Sequence, residues 1–214
     1  PYFYEHANMY LITGTDGDLM IDCGVGYFNV KEFLCAKGFR PKVFPTHCHF
    51  DHVGGLRYFS QGEVIATNNT ITNLKYENLW GLQYLSPTDF TPSLEVTEWC
   101  ENFTPLVPDT ITVLQSHFLT IGKYNFQIIE TPGHTDDSVC LFDKENKLLI
   151  SGDTLYDGEL LAGFPNANRR QFSQSLKQIA QLEFEVVLPG HNQVLDRKQA
   201  LEVIAQWQNE LKCT

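Results

Sequence analysis

The chain has 214 residues, of which 43% are hydrophobic and 13% aromatic, enough to bury the core of one compact domain over residues 1–214. Its formal net charge of −11 argues against a nucleic acid or an anionic membrane surface as partner, because phosphate binding needs a concentrated positive face. No apolar run is long enough to span a bilayer. We therefore expect a small-molecule substrate.

The six cysteines show no Cys-x-x-Cys pairing and stand mostly in apolar surroundings. This usage indicates buried, reduced thiols and therefore a reducing compartment, the cytoplasm. The chain begins at Pro1 without a charged and then apolar leader, and a removed leader stays open as an alternative.

Short apolar runs open the chain. Residues 8–12 and 18–22 flank a Gly-Thr-Asp-Gly turn and predict a β-hairpin. A helix is predicted over residues 28–36. Its buried face carries Val30, Phe33 and Leu34.

Three imidazoles and one carboxylate follow a predicted strand over residues 42–44. His47 and His49 are two apart in an extended segment, so both side chains project to the same side and can bind one metal ion. Asp51 and His52 come after a turn and point towards a second site. The stretch therefore predicts half of a two-metal centre.

Three further predicted strand ends carry a donor of the same kind. Apolar runs over residues 126–131, 147–150 and 186–188 each lead into a turn that contains glycine. The candidate ligands in these turns are His134, Asp153 and His191. Because layered α/β folds present ligands at the carboxyl ends of strands, we expect all four strand ends to converge on one centre.

The regular pattern of apolar residues fails between about residues 67 and 108. Two interpretations stay open: helices packed on the outside of the domain, or an insertion that walls the metal groove. Beyond it, residues 110–114 and 118–122 predict another hairpin. The aromatic residues of the insertion are Tyr76, Trp80, Tyr84, Phe90, Trp99 and Phe103.

Two amphipathic helices are predicted near the end of the sequence. The first covers residues 168–182, with apolar side chains at helical spacing. The second begins at Asp196 and Gln199, which have the spacing of a capping box, and its apolar stripe includes Ile204 and Trp207.

The four donor-bearing motifs together resemble those of the metallo-β-lactamase superfamily. They read His-x-His-x-Asp-His, Thr-Pro-Gly-His-Thr, Ser-Gly-Asp and Pro-Gly-His, and the resemblance extends from about residue 8 to 191. It implies an α/β fold, a four-layer αβ/βα sandwich of two mixed β-sheets flanked by helices. One departure is Asp137, which stands where many members have glycine; this position is not a ligand and bears on subfamily alone.

The resemblance also assigns roles to the donors. We expect two divalent metal ions, with zinc as first choice and iron or manganese as alternatives. Such a pair can present a metal-bridging hydroxide to a carbonyl carbon, while Asp51 manages the proton. By the same resemblance, His47, His49 and His134 hold one ion, Asp51, His52 and His191 hold the other, and Asp153 bridges them.

Tyr156 follows Asp153 by three residues, and acyl-homoserine lactonases of this superfamily have a tyrosine at the same offset. That placement suits a hydrogen bond to the developing oxyanion, so Tyr156 is a candidate catalytic residue. The alternative, a core tyrosine at a strand end, stays open.

Residues 149–161 resemble the members of this superfamily that are linked with acyl-coenzyme A thioester hydrolysis. The favoured function is therefore a dinuclear hydrolase that acts on a thioester such as an acyl-coenzyme A. Two alternatives are a lactonase of acyl-homoserine lactone type and a mono-iron persulfide dioxygenase. Arg169 and Arg170 are candidates to meet substrate phosphates, against the alternative of a solvated helix start.

Overall fold

The N-terminal part of the chain forms a small mixed sheet. The computed structural model describes residues 7–87 and 94–212. The predicted hairpin is confirmed, and the third strand pairs with the second in parallel. A parallel bridge between Val43 and Val64 connects this sheet to a two-stranded parallel one. The strands are β1 (Tyr10–Gly14), β2 (Gly17–Ile21), β3 (Pro41–Phe44), β4 (Ile65–Ala66) and β5 (Thr112–Val113).

The second sheet has six strands in the order β11-β10-β9-β8-β7-β6. Neighbours pair antiparallel except β9 and β10, which are parallel, so this sheet is also mixed. The strands are β6 (Phe118–Ile121), β7 (Tyr124–Glu130), β8 (Val139–Asp143), β9 (Leu148–Gly152), β10 (Val186–Pro189) and β11 (Leu195–Asp196).

The described residues form six α-helices, several of which pack on the outer faces of the two sheets. Among the described residues no helix is both long and apolar enough to cross a membrane. The cysteines of the described ranges form no disulfide. The helices are α1 (Val30–Ala36), α2 (Phe50–Val53), α3 (Asn68–Asn73), α4 (Leu94–Glu101), α5 (Arg169–Ala180) and α6 (Arg197–Lys212), with 3-10 turns at Gly54–Tyr58, Glu77–Leu79 and Leu82–Tyr84.

Alternation along the strands divides the core into three apolar layers. In the small sheet, Met20 packs towards the outer helices, whereas its neighbours Leu19 and Ile21 pack between the two sheets. In the large sheet, Ile150 faces the same inner layer, and Leu149 faces α5 and α6. Two sheets buried on both faces give the expected four-layer αβ/βα sandwich.

The hairpin predicted from residues 110–114 and 118–122 is wrong. Strand β5 pairs with β4, and Thr112 donates its backbone N–H to the carbonyl of Val64 at 2.8 Å. Strand β6 instead turns back at Gly122, whose φ of +55° permits a tight connection to β7. That shorter turn orders fewer residues than a connection through 115–117 would. Sequence analysis also missed β8 and β11, which complete the large sheet.

The buried face predicted for the first helix is wrong at one position. Phe33 is 47% exposed and packs edge to face on Phe28, with ring centroids 5.7 Å apart. The helix begins at Val30 because Asn29 caps it, accepting a hydrogen bond from the N–H of Glu32. Val30 is the buried side chain of this seven-residue helix, and Leu34, also predicted on the inner face, packs partly buried against the same apolar layer.

The stretch between residues 67 and 108 satisfies both interpretations of its aromatic residues. Trp80 is fully buried against the small sheet, and Trp99 packs edge to face on Tyr27 and Phe103. Tyr84, in contrast, lines the groove above the donor cluster. Phe90 lies outside the described residues.

Candidate metal centre

The seven predicted donors meet at one edge of the sandwich. Four strands end there, and each is followed by a short turn that carries its donors. His49 stands immediately before α2, so the first turn of that helix carries Asp51 and His52. The remaining donors follow their strands: His47 after β3, His134 after β7, Asp153 after β9 and His191 after β10.

The first donor group consists of His47, His49, His134 and Asp153, all of them buried. The potential ligand atoms of the group lie within 4.8 Å of one another. His134 and His49 approach at 3.0 Å between Nε2 and Nδ1. The other ring nitrogen of His134, Nδ1, lies 2.9 Å from the carbonyl oxygen of Leu161, which as an acceptor selects the tautomer with Nε2 free to bind a cation.

The second donor group consists of Asp51, His52 and His191, again with ligand atoms within 4.8 Å. The Nε2 atoms of His191 and His52 lie 3.2 Å and 3.5 Å from Asp51 Oδ2. These side chains are partly accessible, at 14% for Asp51 and 12% for His191. The second group therefore faces the solvent side of the cluster.

Asp153 lies between the two groups. Its Oδ1 atom is 3.2 Å from His52 Nε2, and its Oδ2 atom is 3.2 Å from His191 Nε2. The same Oδ2 atom is 3.4 Å from His134 Nε2. One carboxylate thus reaches donors of both sets, which is the position that a bridging ligand needs.

Burial governs the charge state of the first group. It lowers the pKa of His47 far below its usual value, the pKa of His49 to about 3, and the pKa of His134 in the same direction. These imidazoles are therefore neutral at physiological pH. Neutral imidazole is the form that coordinates a metal.

Neighbouring carboxylates determine the charge state of the second donor group. Burial would lower the pKa of both His52 and His191, but the negative charges of Asp153 and Asp51 raise it, for His191 to about 10. The same contacts keep the pKa of Asp153 well below its usual value despite its burial. This half of the cluster accordingly favours positive charge, which a divalent cation would supply.

The donor set fits a pair of metal ions. The Nε2 atoms of His47 and His49 are buried without a hydrogen-bond partner among the described residues. Buried polar atoms are rarely left unsatisfied, because each costs free energy comparable to a lost hydrogen bond. Imidazole nitrogens and carboxylate oxygens are common ligands of zinc and of iron.

Sequence analysis missed the residue that orients this cluster from behind. Asp22, 2% exposed at the end of β2, accepts a hydrogen bond from His52 Nδ1 at 2.8 Å. It also accepts from the backbone N–H of Thr46 at 2.7 Å and from the Thr46 hydroxyl at 2.9 Å. That hydroxyl lies 3.1 Å from His47 Nδ1, so one carboxylate helps to orient ligands of both groups. The sequence feature that could have identified Asp22 is its position directly after the apolar run of β2.

Gly190 explains the glycine in the Pro-Gly-His turn. A Cβ atom at this position would lie 2.1 Å from Asp153 Oδ1 and 2.9 Å from His52 Cε1. Only a glycine allows the end of β10 to approach the Asp153 carboxylate this closely.

A groove with a volume of about 320 Å³ lies above the donors. Its floor includes Asp51, Asp153 and His191, and its walls come from the insertion and from the loops that follow β9 and β10. The remaining lining residues are His49, Phe50, Gly81, Tyr84, His134, Tyr156, Gly158, Glu159, Leu161, Phe164 and Asn192.

Tyr156 lies at one end of this groove. Its ring packs edge to face on His191 and on Trp207, with centroids 5.6 Å and 5.0 Å away. Its hydroxyl donates a hydrogen bond to the carbonyl of Glu159 at 2.6 Å. A role on an oxyanion requires that hydroxyl to exchange this partner for the substrate.

Arg169 and Arg170 lie away from the groove. Both border a separate surface hollow together with Lys177 on α5, and Arg169 donates to the carbonyl of Glu210 on α6. Neither belongs to the residues that line the groove. This placement is that of the solvated helix start, not of a phosphate contact.

Asp137, the departure from the family motif, is 1% exposed behind the cluster. Burial raises its pKa to about 6, although Thr135, Thr70 and Asn73 partly offset that effect. Its neighbour Asp136 accepts a hydrogen bond from Asn73 at 2.6 Å, so the turn after His134 is attached to α3 of the insertion.

Comparisons with known proteins agree with this fold and site. The family model of the metallo-β-lactamase superfamily matches residues 4–191, so the chain belongs to that superfamily. Over 210 residues it is 31% identical to the acyl-coenzyme A thioesterase MBLAC2 of Gallus gallus, covering 88% of this chain and 74% of that protein. The chain is therefore a metal-dependent hydrolase.

Two solved structures illustrate the shared fold. A metallo-β-lactamase superfamily protein from Sulfolobus tokodaii superposes with a TM-score of 0.71 at 22% identity, over 95% of this chain and 81% of that one. The protein TTHA1623 in a di-iron-bound form superposes with a TM-score of 0.69 at 23% identity, over 92% of this chain and 93% of that one.

Proposed function

We propose that this chain hydrolyses acyl thioesters, such as an acyl-coenzyme A, at a dinuclear centre that contains zinc. The observation that carries the proposal is a pair of donor groups sharing Asp153 beneath a groove with an apolar wall. Activation of water requires the first feature, and binding of an acyl chain requires the second. The identity with a thioesterase of the same superfamily supports the substrate class.

In this proposal the two donor groups each hold one ion, and Asp153 is shared between them. Divalent ions held by these donors would supply a water of lowered pKa and would polarise the substrate carbonyl. The chain's own residues exclude bulk water, orient the thioester and move the proton.

Asp51 is the proton acceptor. Its side chain opens onto the groove floor, with Oδ2 beside His191. Burial would raise the pKa of Asp51, but His52 and His191 lower it to about 2. The carboxylate is therefore ionised at neutral pH and can take up, at the oxygen that is not bound to an ion, the proton that the attacking water loses.

Tyr156 is the oxyanion donor. Its ring is held in place by Trp207 and His191, so the hydroxyl exchanges the Glu159 carbonyl for a substrate oxygen by rotating about its own C–O bond. The substitution Tyr156→Phe should lower kcat by about two to three powers of ten, the usual loss for one oxyanion donor. Its metal content should equal that of the unmodified protein.

The control for this substitution is Tyr76→Phe, which alters an exposed tyrosine outside the groove. An unchanged kcat in Tyr156→Phe would leave Tyr156 as a wall residue alone. Loss of metal together with activity would likewise argue against a direct role.

A lactone is the nearest competing substrate, because lactonases of this superfamily carry a tyrosine at the same offset from the bridging aspartate. The thioester is favoured by the apolar wall, since an acyl chain gains about 0.8 kcal/mol for each buried methylene. A mono-iron persulfide dioxygenase would use three of the seven donors and leave the other four without a metal ion.

The test is a hydrolysis panel with an acyl-coenzyme A, an acyl-homoserine lactone and a β-lactam, run on protein of measured metal content. We expect kcat/KM to be highest for the thioester and to rise with acyl chain length. A rate indifferent to chain length, or a lactone preferred by about tenfold or more, would contradict the thioesterase proposal.

The His134→Ala variant, purified in parallel, controls for contaminating thioesterase. Measurement of oxygen uptake with a persulfide substrate tests the remaining alternative, a mono-iron persulfide dioxygenase. Uptake without any ester hydrolysis would replace the hydrolytic proposal by the mono-iron one.

A further inference from the structure

The apolar wall of the groove begins directly beside the donors. The ring of Phe164, in the loop after β9, lies 4.2 Å from the ring of His49 and 5.0 Å from that of His134, between centroids. Tyr84 from the insertion packs edge to face on Phe164 at 5.1 Å. Any group bound against Phe164 is therefore adjacent to the reacting carbon.

Gly81 keeps this wall open. A Cβ atom there would touch His49 Cδ2 at 3.4 Å and Phe164 Cε1 at 3.6 Å. Its φ of +71° also disfavours any larger residue. The absence of a side chain at Gly81 leaves an open slot beside the two rings, lined by Phe164, Tyr84 and the Gly81 backbone, that an extended alkyl group can occupy.

Apart from the imidazoles, every side chain in the described lining of the groove that is charged at neutral pH is a carboxylate. Asp51 and Asp153 lie on the floor, and Glu159 lies at the exposed rim. No lysine or arginine belongs to the lining formed by the described residues. The undescribed residues, 1–6, 88–93 and 213–214, contain neither type in their sequence.

Proteins recognise phosphate groups mainly through arginine, lysine or the N–H groups at helix N-termini. A coenzyme A carries its phosphates far from the thioester carbon, beyond the reach of ions held by the donors. Phosphates at the mouth of this groove would meet Glu159 and an overall charge of −11. The lining thus offers an acyl group an apolar surface and offers the nucleotide no basic side chain.

We propose that the groove selects a thioester by its acyl group alone, through the slot formed by Phe164, Tyr84 and Gly81. The groove makes no specific contact with the thiol part of the substrate. Acyl thioesters of coenzyme A, of pantetheine and of short neutral thiols are therefore equivalent substrates. This inference rests on the proposed thioesterase function. It narrows the substrate class from acyl-coenzyme A to apolar acyl thioesters in general.

The experiment compares octanoyl thioesters of coenzyme A, pantetheine and N-acetylcysteamine with the metal-loaded protein. We expect the three kcat/KM values to agree within about tenfold, because no charge-assisted contact is lost on truncation. For the coenzyme A ester, kcat/KM should stay constant or rise with added salt, since salt screens repulsion. A loss of about a hundredfold or more on truncation, or a fall of kcat/KM with salt, would overturn the inference.

Equilibrium binding gives a readout that does not depend on turnover. The non-hydrolysable thioethers S-octyl-coenzyme A and S-octyl-pantetheine should bind with dissociation constants within about tenfold of each other. Much tighter binding of the coenzyme A compound would reveal a phosphate site and overturn the inference.

Phe164→Ala tests the slot itself. It should flatten the dependence of kcat/KM on acyl chain length by the same factor for coenzyme A and pantetheine esters, with metal content retained. The matched control is Phe118→Ala, which removes an exposed phenylalanine of β6 that does not line the groove. An unchanged chain-length profile in Phe164→Ala would overturn the proposal.

The two proposals fail in different ways. If only the coenzyme A ester is cleaved, the thioesterase function stands and the carrier inference falls. If none of the thioesters is cleaved, both fall together.

Discussion

Two buried carboxylates, each with its own set of partners, organise the donor cluster. Asp153 stands among the imidazoles and reaches His52, His134 and His191 with its own oxygens. Asp22 stands behind them, and its oxygens accept hydrogen bonds from His52 and Thr46. The first carboxylate binds the cations in our proposal, and the second fixes the ring orientation of a ligand.

Substituting Asp22→Asn should weaken the binding of the second metal by about 10- to 100-fold, the usual effect of losing an outer partner of a ligating histidine. The first metal should be less affected, because its His134 is oriented separately by the Leu161 carbonyl. Competition with a chelator of known affinity measures both constants.

Asp18→Asn is the matched control, because Asp18 lies on the same hairpin and accepts only from the N–H of Arg40 outside the site. Equal metal affinities in the native protein and in Asp22→Asn would contradict the positioning role. Thermal melts of both variants separate a loss of metal from a loss of fold.

The buried carboxylate of Asp137 lowers the stability of the fold at neutral pH. Burial raises its pKa to about 6, whereas an unfolded aspartate titrates near about 3.9. The native state thus binds this proton more tightly than the unfolded state. The stabilisation by the bound proton is complete below about pH 4 and is lost as the pH rises through about 6.

We therefore expect Asp137→Asn to raise the free energy of unfolding by about 1–3 kcal/mol above pH 6 and to leave it nearly unchanged at about pH 4. Denaturant melts of both proteins across this range measure the difference. A gain that is the same at every pH would show that the carboxylate is not the cause. Destabilisation above pH 6 would contradict the prediction outright.

At the scale of elements, the capping box before α6 illustrates what local sequence determines. The N–H of Gln199 donates to Asp196 Oδ1 at 2.9 Å, and the N–H of Asp196 donates to Gln199 Oε1 at the same distance. Both bonds depend on residues three apart, so their spacing alone predicts them.

Removing this cap by Asp196→Ala should lower the free energy of unfolding by about 1 kcal/mol, with activity retained. The control Gln206→Ala changes an exposed position within the same helix and should alter it by less than about 0.5 kcal/mol. Chemical denaturation measures both variants. A cap substitution no more costly than the control would indicate that tertiary packing alone fixes the start of α6.

The difference between local contacts and contacts that are distant in sequence explains which parts of the fold were predictable. Donors after β7, β9 and β10 were found because strand, glycine and donor follow one another closely in sequence. Those after β3 were found because His47, His49, Asp51 and His52 stand within six residues. The partner of β5 was not, since Thr112 pairs with Val64 across a long loop and nothing near residue 112 encodes that choice. Asp22 escaped notice for a related reason: its partner His52 lies 30 residues away.

The stretch between residues 67 and 108 shows what local sequence cannot predict. Its aromatic residues read alike in sequence, yet Trp80 is fully buried whereas Tyr84 is 51% exposed at the groove. Local composition cannot separate these outcomes, because each depends on which other element lies opposite. Phe164, from a distant loop, is what places Tyr84 in the wall.

At the scale of the molecule, charge is divided between the surface and the centre. The chain carries a net charge of −11, and two divalent ions would concentrate positive charge at the one edge where the donors meet. A substrate is then attracted through its polarised carbonyl, and not through a basic surface. The four-layer sandwich holds this edge rigid by burying both faces of both sheets.

The central claim is that one chain assembles two metal sites joined by Asp153, and metal stoichiometry tests it most directly. Elemental analysis of protein reconstituted with zinc and freed of excess metal should give two ions per chain. Asp153→Ala should give fewer, because its carboxylate serves both groups. One ion per chain in the unmodified protein, with none lost on Asp153→Ala, would contradict the account.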